Sequence, residues 1–253
     1  MEYETLILEK QEGVGIITLN RPEQLNALNA TLTTELDKAL SYFEGEDEVK
    51  AIIITGAGDK AFSAGGDIHE MAQQSEAGLK RRGSRRVDQN WHLATCKKPT
   101  IGAINGLAYG GAALMSSTFD IRIGCERTSF RFVGVIYGRV NSTWTLPLIV
   151  GWPIAKELLF TGRVVEAEEA LRIGLLNKLV PSSELMKAAI DMGQAIAANN
   201  PTSVQGIKEI LTKNIGMSWR KMLLNEAQMV SQALKPPPAE ESFRDFLERK
   251  RSQ

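Results

Sequence analysis

The chain has 253 residues, of which 43% are hydrophobic, so it can bury the core of one large domain or of a domain with an appendage. Lysine plus arginine balances aspartate plus glutamate at 30 each, which argues against an overall field that would attract nucleic acid or a membrane surface. No apolar stretch approaches the roughly 20 residues that span a bilayer. We therefore expect a cytoplasmic protein with no nucleic-acid partner and no membrane partner.

The two cysteines and the amino terminus support the same expectation. Cys96 and Cys125 lack the spacing of metal ligands, so we expect buried, reduced thiols and no metal site. The first residues contain no basic segment followed by an apolar run, so no secretory signal is expected. These features favour a reducing compartment.

The first part of the chain alternates between strand and helix patterns. Apolar runs and alternations predict five strands, at residues 5–10, 14–19, 49–55, 100–104 and 120–124. A helical spacing of apolar residues predicts helices at residues 31–43 and 110–117. Strands and helices that alternate in this way are typical of an α/β domain.

Strand patterns become rare after about residue 154, and helical patterns dominate. The sequence predicts four later helices, at residues 187–197, 202–212, 219–234 and 240–250, with prolines between them. We therefore expect a core over residues 1–195, followed by a helical region over residues 196–253.

Two glycine-rich segments carry most of the functional information, AFSAGGD at residues 61–67 and NGLAYGG at residues 105–111. Each follows an apolar strand and opens a helix, so its backbone N–H groups have no side chain in front of them. Two such donors that converge on one point form an oxyanion hole, which stabilises negative charge on a carbonyl oxygen. The pair of turns therefore predicts chemistry that passes through such a charge.

Five segments, taken in order, resemble the crotonase (enoyl-CoA hydratase/isomerase) superfamily nearly from end to end. They are residues 19–28, 62–67, 98–111, 157–180 and 246–251. The resemblance implies a crotonase-like (ClpP/crotonase) α/β fold of repeated strand-strand-helix units with a carboxy-terminal helical trimerisation region. It also implies a homotrimer or homohexamer that acts on an acyl-CoA thioester, with coenzyme A as part of the substrate and no further cofactor.

The resemblance also implies roles for particular positions. The N–H groups of Gly66 and Gly111 would be the oxyanion donors. Contacts with coenzyme A are implied for Leu25, Ala27, Ala64, Gly65, Gly66, Asp67, Ile68, Phe246 and Arg249. From its place before a helix, Asp67 is also expected to cap that helix.

The chain departs from the family where hydratases carry their acids. Leu114 lies at the position of the first acid, and Gly134 lies at that of the second. Ser142 lies where some isomerases and dehalogenases have an aspartate. Adding water to a double bond requires one group to deprotonate the water and another to protonate the α-carbon, and leucine and glycine can do neither. We therefore expect little hydration by the family's usual route.

Three functions are compatible with these substitutions. The first is a reaction that needs no strong base, such as decarboxylation of a malonyl-type thioester, with candidates for orienting a carboxylate or donating a proton at Tyr137, Arg139, Asn141 and Ser142. The second is hydration or isomerisation by a displaced acid or base, with candidates at His69, Glu70, Asp88, His92 and Tyr109. The third is a non-catalytic or heteromeric acyl-CoA-binding subunit. We favour an enzyme, a lyase or isomerase that acts through a thioester enolate.

Two further features have simpler interpretations. His92, beside Trp91 on an amphipathic stretch, is expected to be a packed histidine and not a base. The basic run at residues 80–86 could attract the phosphates of coenzyme A, but the balanced net charge favours a solvated surface helix.

Overall fold

The computed structural model describes residues 3–234 and residue 238. The chain divides into two compact units, one that ends at Asn199 and one that begins at Asn200. The predicted helix at residues 240–250 lies outside the described residues, and so do the predicted coenzyme A contacts Phe246 and Arg249.

The strands of the described residues all lie in the first unit. They are β1 Leu6–Gln11, β2 Val14–Leu19, β3 Ala51–Gly56, β4 Ala61–Ser63, β5 Thr100–Ile104, β6 Leu107–Tyr109, β7 Ile121–Gly124, β8 Ser129–Arg131, β9 Val164–Glu166 and β10 Lys178–Leu179. Six of them form one sheet in the order β1-β2-β3-β5-β7-β10. β1 and β2 form an antiparallel hairpin, and all other neighbours in this sheet are parallel. The five predicted strands are confirmed, with small shifts at their ends.

Four short strands form a second sheet in the order β4-β6-β8-β9. β4, β6 and β8 run parallel, and β9 is antiparallel to β8. None of these strands was predicted, because a run of three residues is too short to show an alternating pattern. β4 and β6 matter most for function, since each ends directly before a glycine-rich turn.

The first unit also contains the following α-helices. They are α1 Ala30–Gly45, α2 Ile68–Gln73, α3 Glu76–Thr95, α4 Gly111–Ser116, α5 Leu146–Val150, α6 Trp152–Thr161, α7 Ala167–Arg172 and α8 Leu185–Ala197. α1 packs against α3, and α8 packs against the sheet. The predicted helices at residues 31–43, 110–117 and 187–197 are confirmed as α1, α4 and α8.

The central strands β2, β3 and β5 of the six-stranded sheet are buried on both faces, which is usual where helices cover a mostly parallel sheet, whereas the edge strand β1 is largely exposed. In β3, Ile52 and Ile54 belong to one apolar cluster, and Ile53 belongs to the other. This arrangement explains why β3 is a continuous apolar run instead of an alternating one. Cys96 and Cys125 lie in these two different clusters, each buried as a reduced thiol.

The second unit contains α9 Pro201–Lys213 and α10 Trp219–Gln232, at the places of the helices predicted at residues 202–212 and 219–234. Asn225 Nδ2 donates a hydrogen bond to Asn214 Oδ1 at 2.8 Å, which links α10 to the end of α9. Among residues 3–234 and 238, no helix has the length and apolar character needed to cross a membrane.

Candidate active site

The first glycine-rich turn joins β4 to α2 and is held by main-chain hydrogen bonds. Ala64 N donates to Leu25 O at 2.8 Å, and Leu28 N donates to Gly65 O at 2.7 Å. Gly65 has a φ of +91°, a left-handed conformation that glycine adopts at no steric cost. A Cβ at Gly65 would overlap the carbonyl oxygen of Tyr109 in the second turn. Glycine at this position therefore lets the two turns approach each other closely.

The second glycine-rich turn joins β6 to α4. Gly110 has a φ of +53°, and its N–H donates to Arg131 O at 2.8 Å. Gly111 is the first residue of α4, so its N–H is one of the N-terminal groups for which the helix itself offers no acceptor.

The N–H groups of Gly66 and Gly111 lie close together. Within the described part of the chain, neither has a hydrogen-bond acceptor. A Cβ at Gly111 would lie 3.5 Å from Gly66 N. Because a Cβ is about 2.5 Å from its own nitrogen, the two nitrogen atoms are within about 6 Å of each other. One oxygen atom about 3 Å from each nitrogen is compatible with this spacing.

The guanidinium of Arg86, on α3, lies against both of these glycines. Its Nη2 occupies the space that a Cβ of Gly111 would fill, and its Nη1 is 3.6 Å from the position of a Cβ on Gly66. Burial lowers the pKa of Arg86, and the charges of Arg82 and Arg139 add to this effect. Among the residues that the structure describes, Arg86 has no hydrogen-bond or ion-pair partner.

The interpretation of the basic run as a solvated surface is therefore wrong for two of its members. Arg82 donates to Glu70 Oε2 at 2.5 Å and to Leu28 O at 2.8 Å, so it is tied to the first turn and to the start of α1. Arg82 and Arg86 are four residues apart and share one side of α3. With two more arginines, they line a cleft of about 330 Å³. The exposed residues Arg81 and Arg85 have the same i, i+4 spacing, so the sequence offered no signal that separates Arg82 and Arg86 from them.

Uncharged residues occupy the two positions at which the sequence resemblance implies the acids of hydratases. Leu114 lies one helical turn beyond Gly111 on α4 and is only 8% exposed. Gly134 is buried in a 3₁₀ helix over Val133–Tyr137, where a Cβ would lie 2.9 Å from Arg139 O. Neither residue can hold or transfer a proton at the reacting group.

The loop around Gly134 carries the candidates for orienting a carboxylate or donating a proton, namely Tyr137, Arg139, Asn141 and Ser142. Tyr137 and Arg139 are exposed, whereas Ser142 is fully buried with a φ of +60°. Ser142 Oγ donates to Asn141 Oδ1 at 3.3 Å. Val133 Cγ2 would lie 3.1 Å from a Cβ at Gly110, so this loop begins beside the second turn.

The displaced acids or bases considered from sequence are either paired or exposed. Glu70 pairs with an arginine, His92 lies between two carboxylates of α1, and the Tyr109 hydroxyl accepts a hydrogen bond from a serine. His69 and Asp88 are exposed. His92 is therefore a packed residue, as expected. In residues 3–234 and 238, no group of three or more His, Cys, Asp or Glu side chains is arranged to hold a metal ion.

The predicted coenzyme A contacts that the structure describes lie at the first glycine-rich turn or beside it. Ala64, Gly65, Gly66, Asp67 and Ile68 follow one another through it, and the segment with Leu25 and Ala27 is hydrogen-bonded alongside. Asp67 caps α2 by accepting from Glu70 N at 3.2 Å, as predicted, and pairs with Arg21 at 3.0 Å. Leu25 has a φ of +49°, and Ile68 is 69% exposed.

The chain is similar to known proteins over nearly its whole length. The enoyl-CoA hydratase/isomerase family model matches residues 9–253. A short-chain-enoyl-CoA hydratase of Clostridium acetobutylicum is 34% identical over 99% of this chain and 97% of its own. A crotonyl-CoA hydratase of Syntrophomonas wolfei is 31% identical over 100% of this chain and 98% of its own.

A solved structure agrees with the sequence comparison. The enoyl-CoA hydratase of Bacillus anthracis matches with a TM-score of 0.93 at 31% identity, over 97% of both chains. This agreement confirms the crotonase-like α/β fold that the sequence predicts. The chain therefore belongs to the enoyl-CoA hydratase/isomerase family, within the crotonase superfamily.

Proposed function

We propose that this chain acts on an acyl-CoA thioester whose enolate is stabilised by the N–H groups of Gly66 and Gly111. The observation that carries the proposal is that these two groups are close together and have no acceptor among the described residues. Preorganised donors are worth most where negative charge develops in the transition state. Membership of the family supports a thioester as the source of the charged oxygen.

The reaction that we propose is decarboxylation of a malonyl-type thioester. The bond between the α-carbon and the carboxylate carbon breaks, and its electron pair forms the C=C bond of the enolate while the carbonyl π pair moves to the thioester oxygen. Carbon dioxide leaves, and the α-carbon then takes one proton from water or from a side chain of the loop at residues 137–142. Forming the enolate in this way needs no base, which is compatible with Leu114 and Gly134 at the acid positions.

Hydration of an enoyl-CoA is the second candidate, and the names of the relatives favour it. It requires a group that accepts a proton from water. Glu70 is a carboxylate close to the first turn, but its two oxygen atoms are held by Arg82 and by the N–H of Ala30. Glu70 would have to leave these partners in order to act as the base. A subunit that binds acyl-CoA without converting it is the third candidate.

A panel of coenzyme A thioesters separates these candidates. The purified protein would be incubated with crotonyl-CoA, 3-hydroxybutyryl-CoA, methylmalonyl-CoA and benzoyl-CoA, and the products followed by mass spectrometry. We expect conversion of methylmalonyl-CoA alone, with loss of the mass of carbon dioxide. Reversible hydration of crotonyl-CoA would contradict decarboxylation and support the second candidate, and binding without conversion would support the third.

The matched variant for this panel is Gly111→Pro, which removes one of the two donors and whose Cβ also displaces the Arg86 guanidinium. Proline is well tolerated at the first position of a helix, so α4 is expected to form. Losing one such donor lowers kcat by about 10²- to 10³-fold. Undiminished turnover by a folded Gly111→Pro protein would remove Gly111 from the mechanism.

We also propose that the chain assembles as a homotrimer or homohexamer. Large apolar side chains of the second unit support this proposal, since Ile207, Leu211, Trp219 and Leu223 are each more than half exposed. Extensive exposed apolar surface marks interaction sites. Light scattering during size-exclusion chromatography gives the mass directly, and a monomer at micromolar concentration would contradict the assembly.

A further inference from the structure

Arg86 carries a charge that the described part of the protein leaves unmatched. Its side chain is partly buried and has no hydrogen-bond or ion-pair partner there. The charged groups that act on it, Arg82 and Arg139, are cations as well. Taking a charge out of water without a partner costs free energy. The protein therefore holds this guanidinium in a position that an anion would stabilise.

The guanidinium of Arg86 lies beside the N–H groups of Gly66 and Gly111, which have no acceptor among the described residues. One of its terminal nitrogen atoms contacts Gly111, and the other is close to Gly66. All three groups are hydrogen-bond donors and none is an acceptor, so they cannot satisfy one another. An anion at their meeting point would accept hydrogen bonds from all three.

Arg82 explains how Arg86 is held at this point. One helical turn earlier on α3, Arg82 is bound to Glu70 of α2 and to Leu28 O, both beside the first turn. These two hydrogen bonds fix the distance between α3 and the turn. Because Arg82 and Arg86 share a helix side, the same anchoring directs Arg86 toward the glycines.

Two anions of a malonyl-type substrate could occupy the meeting point, the thioester oxygen as it becomes an enolate or the carboxylate of the acyl group. The thioester oxygen is the atom that the two N–H groups would hold, and a guanidinium against both glycines reaches that same atom. During decarboxylation the negative charge moves from the carboxylate to this oxygen. A cation at the oxygen therefore binds the transition state more strongly than the substrate, which is the condition for raising kcat.

We propose that Arg86 is a catalytic residue that gives the enolate oxygen at Gly66 and Gly111 a third donor and a full positive charge. This inference rests on the proposed function, because it concerns the same thioester. No bond to Arg86 forms or breaks, and its guanidinium stays protonated throughout, as arginine does in proteins. Its hydrogen bond strengthens as the carbon–carbon bond of the substrate breaks. The site thus stabilises an enolate without transferring a proton.

The kinetic test uses Arg86→Gln, Arg86→Lys and the charge-matched control Lys80→Gln, with the thioester that the wild-type protein converts. Lys80 is exposed on the same helix. We expect Arg86→Gln to lower kcat by about 10²- to 10³-fold with little change in KM, the loss typical of one oxyanion donor. Arg86→Lys keeps the charge and loses the planar fork, so its kcat should be intermediate, and Lys80→Gln should match the wild type.

A binding test decides on Arg86 even if no thioester is turned over. The probe is 2-nitropropionyl-CoA, which ionises to a nitronate with negative charge shared between its nitro and thioester oxygen atoms. Propionyl-CoA is the neutral control of similar size. By calorimetry, we expect Arg86→Gln to weaken nitronate binding by about 10²-fold and to leave propionyl-CoA binding almost unchanged. Absence of turnover with this binding pattern would overturn the proposed function and retain the anion site.

Three results would overturn the inference. An increase in kcat for Arg86→Gln would mean that Arg86 blocks the oxygen site. A rise in KM with kcat unchanged would assign Arg86 to the substrate carboxylate. Equal loss of nitronate and propionyl-CoA binding would assign it a structural role. Thermal melting of each variant shows whether it is folded. If Arg86→Gln does not fold, the kinetic and binding tests use Arg86→Lys instead.

Discussion

Two cationic side chains of α3, His92 and Arg86, are directed into the protein with opposite consequences. His92 lies between two acids of α1, with Nδ1 at 2.6 Å from Asp37 Oδ1 and Nε2 at 2.9 Å from Glu44 Oε2. Arg86, further toward the start of the helix, has cations around it and no partner in the described residues. The last turns of α3 therefore join the helix to α1, and its middle presents an unmatched charge to the glycine-rich turns.

The direction of each pKa shift follows from these surroundings. The hydrogen bond to Glu44 is the main reason that the pKa of His92 rises to about 9. Burial alone would raise the pKa of Glu44, but hydrogen bonds from His92 and from the N–H of Lys97 hold it at about 2. For Arg86, burial and neighbouring cations lower the pKa. One helix can therefore use a paired cation for stability and an unpaired cation for binding.

Among the changes that test this contrast, Gly111→Ala should have the largest effect, and it should act on Arg86 while leaving His92 and its partners in place. Gly111 does not have a positive φ, so alanine is compatible with the backbone, and its Cβ would overlap the movable Arg86 guanidinium. We expect kcat to fall by about 10²-fold because the guanidinium is displaced. Thermal stability should change by no more than about 1 kcal/mol, since alanine is the better helix former.

The matched control for Gly111→Ala is Gly83→Ala, the same change at a place on α3 where a Cβ meets nothing within 4 Å. It should leave kcat unchanged and raise stability slightly. Equal loss of kcat in both variants would show that the effect does not come from contact with Arg86.

His92→Gln removes the cation that pairs with two acids of α1, and it should have the next largest effect. Removing the cation leaves Asp37 and Glu44 close together without a counter-charge, so we expect a loss of about 2 kcal/mol of unfolding free energy at pH 6. The kcat value should stay near that of the wild type, because the hydrogen bonds of His92 go to α1 and not to the glycine-rich turns. Urea unfolding at pH 6 measures the change, and His69→Gln, at the exposed histidine, is the control.

The same pair predicts a pH dependence of stability. The folded pKa of His92 is about 9, above its unfolded value of 6.5, so its contribution is complete below pH 6.5 and is lost as the pH rises through 9. The folded pKa of Glu44 is about 2, so its contribution is complete above pH 4.5 and is lost as the pH falls toward 2. In His92→Gln, the free energy of unfolding should fall less steeply above pH 6.5 than in the wild type. An unchanged fall would contradict this assignment.

Arg86→Met should have a small effect on stability, and it should raise the free energy of unfolding where His92→Gln lowers it. Replacing a partly buried cation that has cationic neighbours by an apolar side chain should raise the free energy of unfolding by about 1 kcal/mol in the absence of ligand. A thermal melt beside Lys80→Met measures the difference. A lower melting temperature for Arg86→Met would mean that Arg86 stabilises the fold, and the contrast with His92 would no longer hold.

Five strands of the large sheet could be predicted because their signal is local, whereas the two-residue β10 was not predicted. A run such as Ile52, Ile53 and Ile54 is apolar on both faces, and its length alone indicates a strand. The small sheet depends on pairing between β4, β6 and β8, which are each three residues long. Their strand conformation comes from neighbours that are distant in the sequence, so no local pattern could reveal it.

The candidate site likewise contains residues that the sequence predicts and one that it does not. Gly66 and Gly111 follow from glycine-rich motifs, whose backbone requirement is local. Arg86 belongs to a segment with five cations in seven residues, a composition that indicates solvent. Only the packing of α3 beside the two turns distinguishes Arg86 from the rest of that segment. A residue whose role comes from tertiary contact alone could not be identified from its own sequence context.

Gly134 has a consequence for any attempt to engineer a proton carrier into this chain. Any side chain there would press on the carbonyl oxygen of Arg139 at 2.9 Å and on Asn141 Oδ1 at 3.2 Å. A Gly134→Glu substitution would therefore meet backbone instead of open space, and the loop would have to shift to admit the side chain. Engineering water addition into this scaffold would begin by rebuilding the loop and would add the acid last.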